Sequence, residues 1–263
     1  MPRNVDKIYQ DIIKKVTLTG DVITRRNGKA KRLTALSAVF HKMPVVSLRK
    51  TFVKGALREW EAFMAGATRL EDFHPSIRSW WEPFADENGN MPFSYGKQFR
   101  YQTALSGNSD QIESLIDGLK NDPFSSRHRI GTWNRAEMSV AKLPNCHTNF
   151  CQFFVNGSKL DMMTVQGSCD LIVGVPHNWV QSYGFLMWVA AECGLAPGKV
   201  TWHGGDCHIY ESHEKAAWDI IYAKRMFKSP KVTYQHSKIF KADNFDITEV
   251  QPPLVKTPVR MVP

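Results

Sequence analysis

The chain has no CxxC pair, no internal repeat and no low-complexity linker. No apolar run approaches the roughly 18–20 residues that cross a bilayer. The longest, GFLMWVAAECGLA (184–196), reads as a buried helix, so no membrane partner is expected. The N-terminal MPRNVDKIYQDIIKK has neither a continuous apolar core nor a small-residue cleavage site, and no secretory signal is expected. Five cysteines are an odd number for a chain of 263 residues, which argues against a disulfide framework. Unpaired thiols without a signal point to the cytoplasm. Two Cys-His dipeptides occur, Cys146-His147 and Cys207-His208. A zinc site would need all four side chains to converge, and adjacent residues rarely point at one metal, so no metal is expected.

What is present bounds the rest. A hydrophobic share of 43% supports a sizeable core in a single domain over residues 1–263. The formal charge is +9. Nucleic-acid binding is one implication; a basic surface that draws in small anions is the other, and it is preferred because no aromatic-rich basic motif occurs. One cluster stands out, TRRNGKAKR (24–32), either a disordered loop or a phosphate-contacting segment.

Apolar spacing predicts a helix over 4–15, a mobile loop over 20–32, and short strands at LTALSAVFH (33–41) and MPVVSL (43–48). A helix is predicted over 49–66, ending near Gly66. Residues 67–100 look like a structured loop region carrying ligand contacts. DQIESLIDGLKNDP (110–123) reads as an amphipathic helix closed by Pro123. RIGTWN, NFCQFFVNG, KLDMMTVQGS, KVTWHGG, VTYQHSKIF and FDITEVQP are β-rich and alternate with an apolar helix over 181–194. The expectation is an α+β fold: a mixed sheet with helices on one face, the other face buried against a second copy.

Taken singly, the polar residues have bland explanations. Glu59 fits a solvated helix face, Tyr95 a partly buried core position, and Asn178 a turn or cap. His208 and Tyr210 alternate as strand residues on one face. Together the segments say more. ADENGN…FSYGKQFR (85–100), TWN (132–134), LPNCH (143–147), QFFV (152–155), QGSCDLIVGVPHN (166–178) and GGDCHIYESH (204–213) resemble, in order and spacing, the thymidylate synthase superfamily. That superfamily holds thymidylate synthases and the pyrimidine hydroxymethylases of phages and bacteria. The resemblance implies a three-layer fold, a dimer through sheet faces, a pyrimidine deoxynucleotide monophosphate as substrate and 5,10-methylenetetrahydrofolate as cosubstrate.

The chemistry suits these residue types. C5 of uracil is a poor nucleophile until a thiolate adds at C6, and a thiolate is both a strong nucleophile and a leaving group. The resemblance makes Cys146 that nucleophile, beside His147. It gives Glu59 the organisation of relay water and Tyr95 a part in removing the C5 proton. Asn178 would read the base edge, because an amide both donates and accepts. Cytosine-using phage members carry Asp here, so Asn178 implies uracil. His208 and Tyr210 resemble the pair holding the sugar hydroxyl; Gln166 and Ser168 lie in the nucleotide motif. Asp170 resembles the acid that meets the pterin, with Gly174, Trp81, Phe84 and Arg49 on the folate side.

Departures are informative. The family motif Gln-Arg-Ser-x-Asp reads Gln166-Gly167-Ser168-Cys169-Asp170, so a bidentate phosphate clamp is missing. The partner-supplied Arg-Arg pair becomes Ser126-Arg127-His128-Arg129, leaving Arg127 and Arg129 to reach a phosphate. The phosphate site is expected to be rebuilt, or the substrate to lack the phosphate. Ser47-Leu48-Arg49-Lys50 replaces Thr-Thr-Lys-Lys, Phe84 replaces a Trp, and the last residues read RMVP rather than a small-apolar pair. HNWVQSY (177–183) has one residue more between Asn178 and Tyr183 than the synthases, as the hydroxymethylases do. A polar Arg260 and Pro263 would loosen the folate lid and admit water. The resemblance therefore favours a phage-type deoxyuridylate hydroxymethylase, acting in the host cytoplasm if phage-encoded, over a thymidylate synthase giving dTMP and dihydrofolate. The remaining alternative is a catalytically impaired homologue that binds nucleic acid or a partner.

Overall fold

The computed structural model describes residues 4–104, 107–143, 146–147 and 149–262. Pro144 and Asn145 of the LPNCH motif, and Pro263, lie outside the described residues.

Helix α1 (Val5–Thr19) is capped by Asn4, whose side chain accepts from the Lys7 N–H. It runs four residues past the predicted end, because Val16 and Thr17 are buried too. The segment expected as a mobile loop is instead a hairpin, β1 (Asp21–Arg25) and β2 (Gly28–Phe40), paired antiparallel. Its charges hid the alternation that the pairing exploits. Residues 43–48, expected as a strand, form no strand; Met43, Val45, Val46 and Leu48 are buried as extended chain.

Helix α2 (Val53–Met64) starts four residues later than the apolar pattern suggests. It ends where Gly66 takes a positive φ of 82°, a conformation that glycine adopts freely. Residues 70–84, within the expected loop region, hold three 3-10 turns, Leu70–Asp72, Arg78–Trp80 and Glu82–Phe84. The short α3 (Tyr95–Arg100) was not anticipated; Ser94 caps it and donates to Ala67 O at 2.6 Å. A small hairpin, β3 (Gln102–Ala104) with β4 (Gly107–Ser109), precedes α4 (Gln111–Asn121), capped by Asp110.

The remaining strands are β5 (Arg129–Gly131), β6 (Phe150–Asn156) and β7 (Lys159–Asp170). Next come α5 (Val175–Glu192), β8 (Ala196–Tyr210), α6 (Glu214–Tyr222), β9 (Lys231–Tyr234) and β10 (Phe245–Thr248). Helix α5 begins six residues before the predicted start. Its first turn carries the polar Pro176-His177-Asn178, which masks the apolar signal.

The main sheet runs β1-β2-β8-β7-β6-β5. Only β7 and β8 pair in parallel, so the sheet is mixed, as expected. Trp202 of β8 meets Trp179 of α5 edge-on at 5.5 Å, which marks the helix-covered face. Helix α5 is buried along nearly its whole length between the sheet and α2. Gly184 permits the close approach of α5 to α2: a Cβ there would lie 2.9 Å from Leu57 Cδ2. The other face carries Val39 and Phe154, 43% and 40% exposed.

Candidate active site

A cavity of about 1130 Å³ opens where the C-terminal ends of β7 and β8, the start of α5, the 3-10 turns and the hairpin converge. Its floor is Cys146, with His147, Glu59 and Asn178 beside it. Glu59 belongs to the inward face of α2 and is only 6% exposed. Its Oε1 accepts from the Trp81 indole N–H at 2.7 Å, and its Oε2 from the Gln181 amide. Burial pushes the Glu59 carboxyl up to about 7, although the Gln181 and Trp81 hydrogen bonds oppose the shift.

Tyr95 sits directly behind Cys146. Its hydroxyl accepts from the Cys146 backbone N–H at 2.9 Å and lies 3.8 Å from Sγ. Burial pushes the thiol up to about 12; the Tyr95 hydrogen bond pulls it down and the Glu59 charge raises it further. Burial also pushes His147 down to about 3, so its ring is neutral at pH 7. None of the cations lining the cavity offsets this burial, which holds the thiol above its ordinary range.

The nucleotide-side and folate-side candidates also meet here. Ser168, His208, Tyr210, Asp170, Gly174, Trp81, Phe84 and Arg49 all line the cavity. Asp170 Oδ1 accepts from the Ile172 and Val173 N–H groups at 2.9 and 3.0 Å, fixing the turn into α5. His208 Nδ1 lies 3.2 Å from Asp206 Oδ1, and Arg25 pairs with the same oxygen at 3.0 Å. Burial raises the Asp206 pKa, but His208 and Arg25 outweigh it and hold the carboxyl below the usual range. Arg49 donates from Nε and Nη2 to Lys50 O; its Nη1 is buried without a hydrogen-bond partner among the described residues.

Three candidates stand apart. Gln166 is 3% exposed behind Asn178 rather than on the cavity wall. Arg127 and Arg129 are exposed near the β5 edge, away from their own chain's cavity. Among the described residues no cluster of three His, Cys, Asp or Glu side chains converges as a metal site.

The thymidylate synthase family model matches residues 7–257. The chain belongs to the thymidylate synthase family. Members of this family carry a one-carbon unit to C5 of dUMP with methylenetetrahydrofolate as cosubstrate. The family's cavity, in this chain, has polar residues that the motifs did not single out. Gln181 joins Glu59 to Asn178, and Arg25, Arg26 and Arg32 line the rim from the hairpin. The extra residue in HNWVQSY was the visible trace of Gln181; the basic run 24–32 was that of the arginines. The C-terminal wall differs from the polar lid expected. Pro258, Val259, Met261 and Val262 line the cavity, after the polar Lys256 and Thr257, while Arg260 is not part of its lining. The Arg260 carbonyl instead accepts from the His213 ring at 2.8 Å. No helix among the described residues is long and apolar enough to cross a membrane.

Proposed function

We propose that the chain is a single catalytic domain that transfers a one-carbon unit to C5 of dUMP, and that its product is 5-hydroxymethyl-dUMP. The convergence of Cys146, Glu59 and Asn178 on one cavity, with the Tyr95 hydroxyl against Cys146, carries the catalytic part. Cys146 Sγ attacks C6 of the uracil ring; the electron pair displaced from the C5–C6 bond makes C5 nucleophilic. The folate supplies the one-carbon unit at the formaldehyde level. Tyr95 takes part in removing the C5 proton, its own proton passing to the relay water that Glu59 holds, and Asn178 grips the base edge. Loss of the C5 proton would expel the folate nitrogen and leave an exocyclic methylene; water adds to that carbon, and sulfur leaves as the C5–C6 double bond re-forms.

The residues fit a bound folate. Trp81 and Phe84 give flat apolar surface, and the unpartnered Arg49 Nη1 suits a carboxylate. The additional residue in α5 supports the hydroxymethyl product, since it adds a buried amide to the polar group that would hold the attacking water. Thymidylate synthase remains the second reading because Met261 and Val262 offer the apolar wall that excludes water. The convergence of so many polar side chains favours either enzyme over an impaired binding homologue.

Phosphate recognition moves, in this proposal, from position 167 to the hairpin residues Arg25, Arg26 and Arg32. The enzyme works as a homodimer through the uncovered sheet face, with Arg127 and Arg129 serving the partner's phosphate site.

Incubation with dUMP and methylenetetrahydrofolate decides the product. Mass analysis should give 5-hydroxymethyl-dUMP without dihydrofolate absorbance. Thymidylate with dihydrofolate would instead assign the synthase reaction, and no release of tritium from C5-labelled dUMP would remove both.

A further inference from the structure

A buried chain of three amides, Gln166 of β7 with Asn178 and Gln181 of α5, has two chemically fixed ends. At one end the Trp202 indole N–H, which can only donate, reaches Gln166 Oε1 at 2.9 Å. Gln166 Nε2 then faces the Ser168 carbonyl at 3.0 Å and Asn178 Oδ1 at 2.8 Å. At the other end the Ala56 carbonyl, which can only accept, takes Gln181 Nε2 at 3.1 Å. The same nitrogen donates to Glu59, and Gln181 Oε1 accepts from Asn178 Nδ2 at 3.1 Å. Gln181 has no measurable exposure.

These fixed ends decide which way the middle amide points. Turning Asn178 over would set its oxygen against Gln181 Oε1 and its nitrogen against Gln166 Nε2, two repulsive contacts in a buried site. We infer that Gln181 is a positioning residue that locks the Asn178 amide in the one orientation complementary to uracil and opposed to cytosine. Uracil offers an N3–H donor and an O4 acceptor. Asn178 keeps a lone pair on Oδ1 for the first and an N–H for the second, exchanging its 3.3 Å contact with His147 Nδ1. Cytosine offers the reverse pattern and needs the amide turned over. Gln181 touches neither base; it acts through Asn178.

The inference rests on the proposed pyrimidine chemistry, so the test reads binding rather than turnover. Dissociation constants for dUMP and dCMP are measured by titration calorimetry on the wild type, Gln181→Met, Gln181→Asn and Gln181→Glu, beside tritium release by the wild type. The wild type should prefer dUMP. In Gln181→Met, which is apolar and similar in length, the dCMP-to-dUMP ratio should fall by at least about tenfold, because one of the two contacts that oppose rotation of Asn178 is then gone and only the Gln166 contact remains. Gln181→Asn is too short to span Asn178 and Ala56, and should fall likewise. Gln181→Glu keeps an acceptor toward Asn178 Nδ2, and a proton shared with Glu59 replaces the amide N–H; its ratio should stay within about twofold of wild type. An unchanged ratio in Gln181→Met, an equal fall in all three variants, or a wild type without uracil preference would each overturn the assignment. A lost preference in Gln181→Met without tritium release by the wild type supports the assignment and sinks the catalytic proposal alone.

Discussion

The Tyr95 hydroxyl lies 3.8 Å from Cys146 Sγ and accepts the Cys146 backbone N–H at 2.9 Å, so one phenol both seats the cysteine loop and faces its sulfur. The His147 N–H approaches the same oxygen at 3.4 Å. Replacing Tyr95 by Phe keeps the ring, which is packed on Phe63 at 5.3 Å, and deletes these polar contacts. Since the phenol's hydrogen bond lowers the thiol pKa, Tyr95→Phe should raise it further and slow alkylation of Cys146 at pH 8. As a proton acceptor lost from the reaction, it should lower kcat by roughly 10²–10⁴-fold with KM nearly unchanged. Alkylation at wild-type rate would separate the phenol from the thiol.

Glu59 gives a pH signature. Its folded pKa of about 7 lies above its ordinary 4.5, so the protonated form is the one the fold favours. Its contribution to stability is therefore full below pH 4.5 and is lost as pH rises through 7, by on the order of 3 kcal/mol. Glu59→Gln removes that loss. The stability of the variant relative to wild type, measured by urea unfolding at pH 5 and pH 8, should grow by that amount. His147, held neutral by burial, loses stability in the opposite direction as pH falls below 6.5 and does so in both proteins, so it cancels. Activity should show an acid limb near pH 7 in wild type that is absent from the residual activity of Glu59→Gln.

Much of this site was legible in the sequence because its parts are short and local. Cys146-His147, Asp170 and the His208/Tyr210 alternation each fall within a few residues of recognisable wording. The strands β6, β7 and β8 were legible for the same reason, since burial alternates along them. What escaped depends on distant chain. The β1–β2 hairpin is held by pairing of β2 with β8, some 170 residues on, so charge in 24–32 looked like disorder. Gln181 appeared only as an extra letter in a helix; its meaning needed Glu59 from α2 and Asn178 one turn away. At Arg260 the sequence shows a charged side chain, whereas the contact that holds this segment is made by its carbonyl, which accepts from His213.

Position 167 tests the missing cation. An arginine introduced as Gly167→Arg stands next to Ser168 at the cavity wall and brings a fixed positive charge toward the sulfur and the phosphate. Cys146 should then titrate lower than about 12, and alkylation at pH 8 should accelerate. Affinity for dUMP should rise by roughly 10-fold or more if the new guanidinium pairs with the phosphate, while affinity for deoxyuridine stays level. Equal gains for both ligands would show that the added charge acts on the base end.

The hairpin arginines distinguish a rebuilt phosphate site from a substrate without phosphate. Arg25 is engaged by Asp206, and Arg26 bonds Asn27 at 3.0 Å, whereas Arg32 has no carboxylate within ion-pair distance among the described residues. Arg32 stands on β2 in register with His208, which lines the same cavity, so its charge faces the sugar-phosphate end. Arg32→Ala should therefore raise KM for dUMP roughly 10–100-fold, the value of one charge-assisted hydrogen bond to an anion, and leave kcat almost intact. Arg26→Ala, at an exposed position, should cost less and more so at low salt, because screening lengths of about 10 Å at 0.1 M already weaken it. Deoxyuridine should be bound equally by wild type and both variants. If deoxyuridine weakens in parallel with dUMP, Arg32 is holding the sugar or the sheet rather than a phosphate, and the clamp has no home on the hairpin.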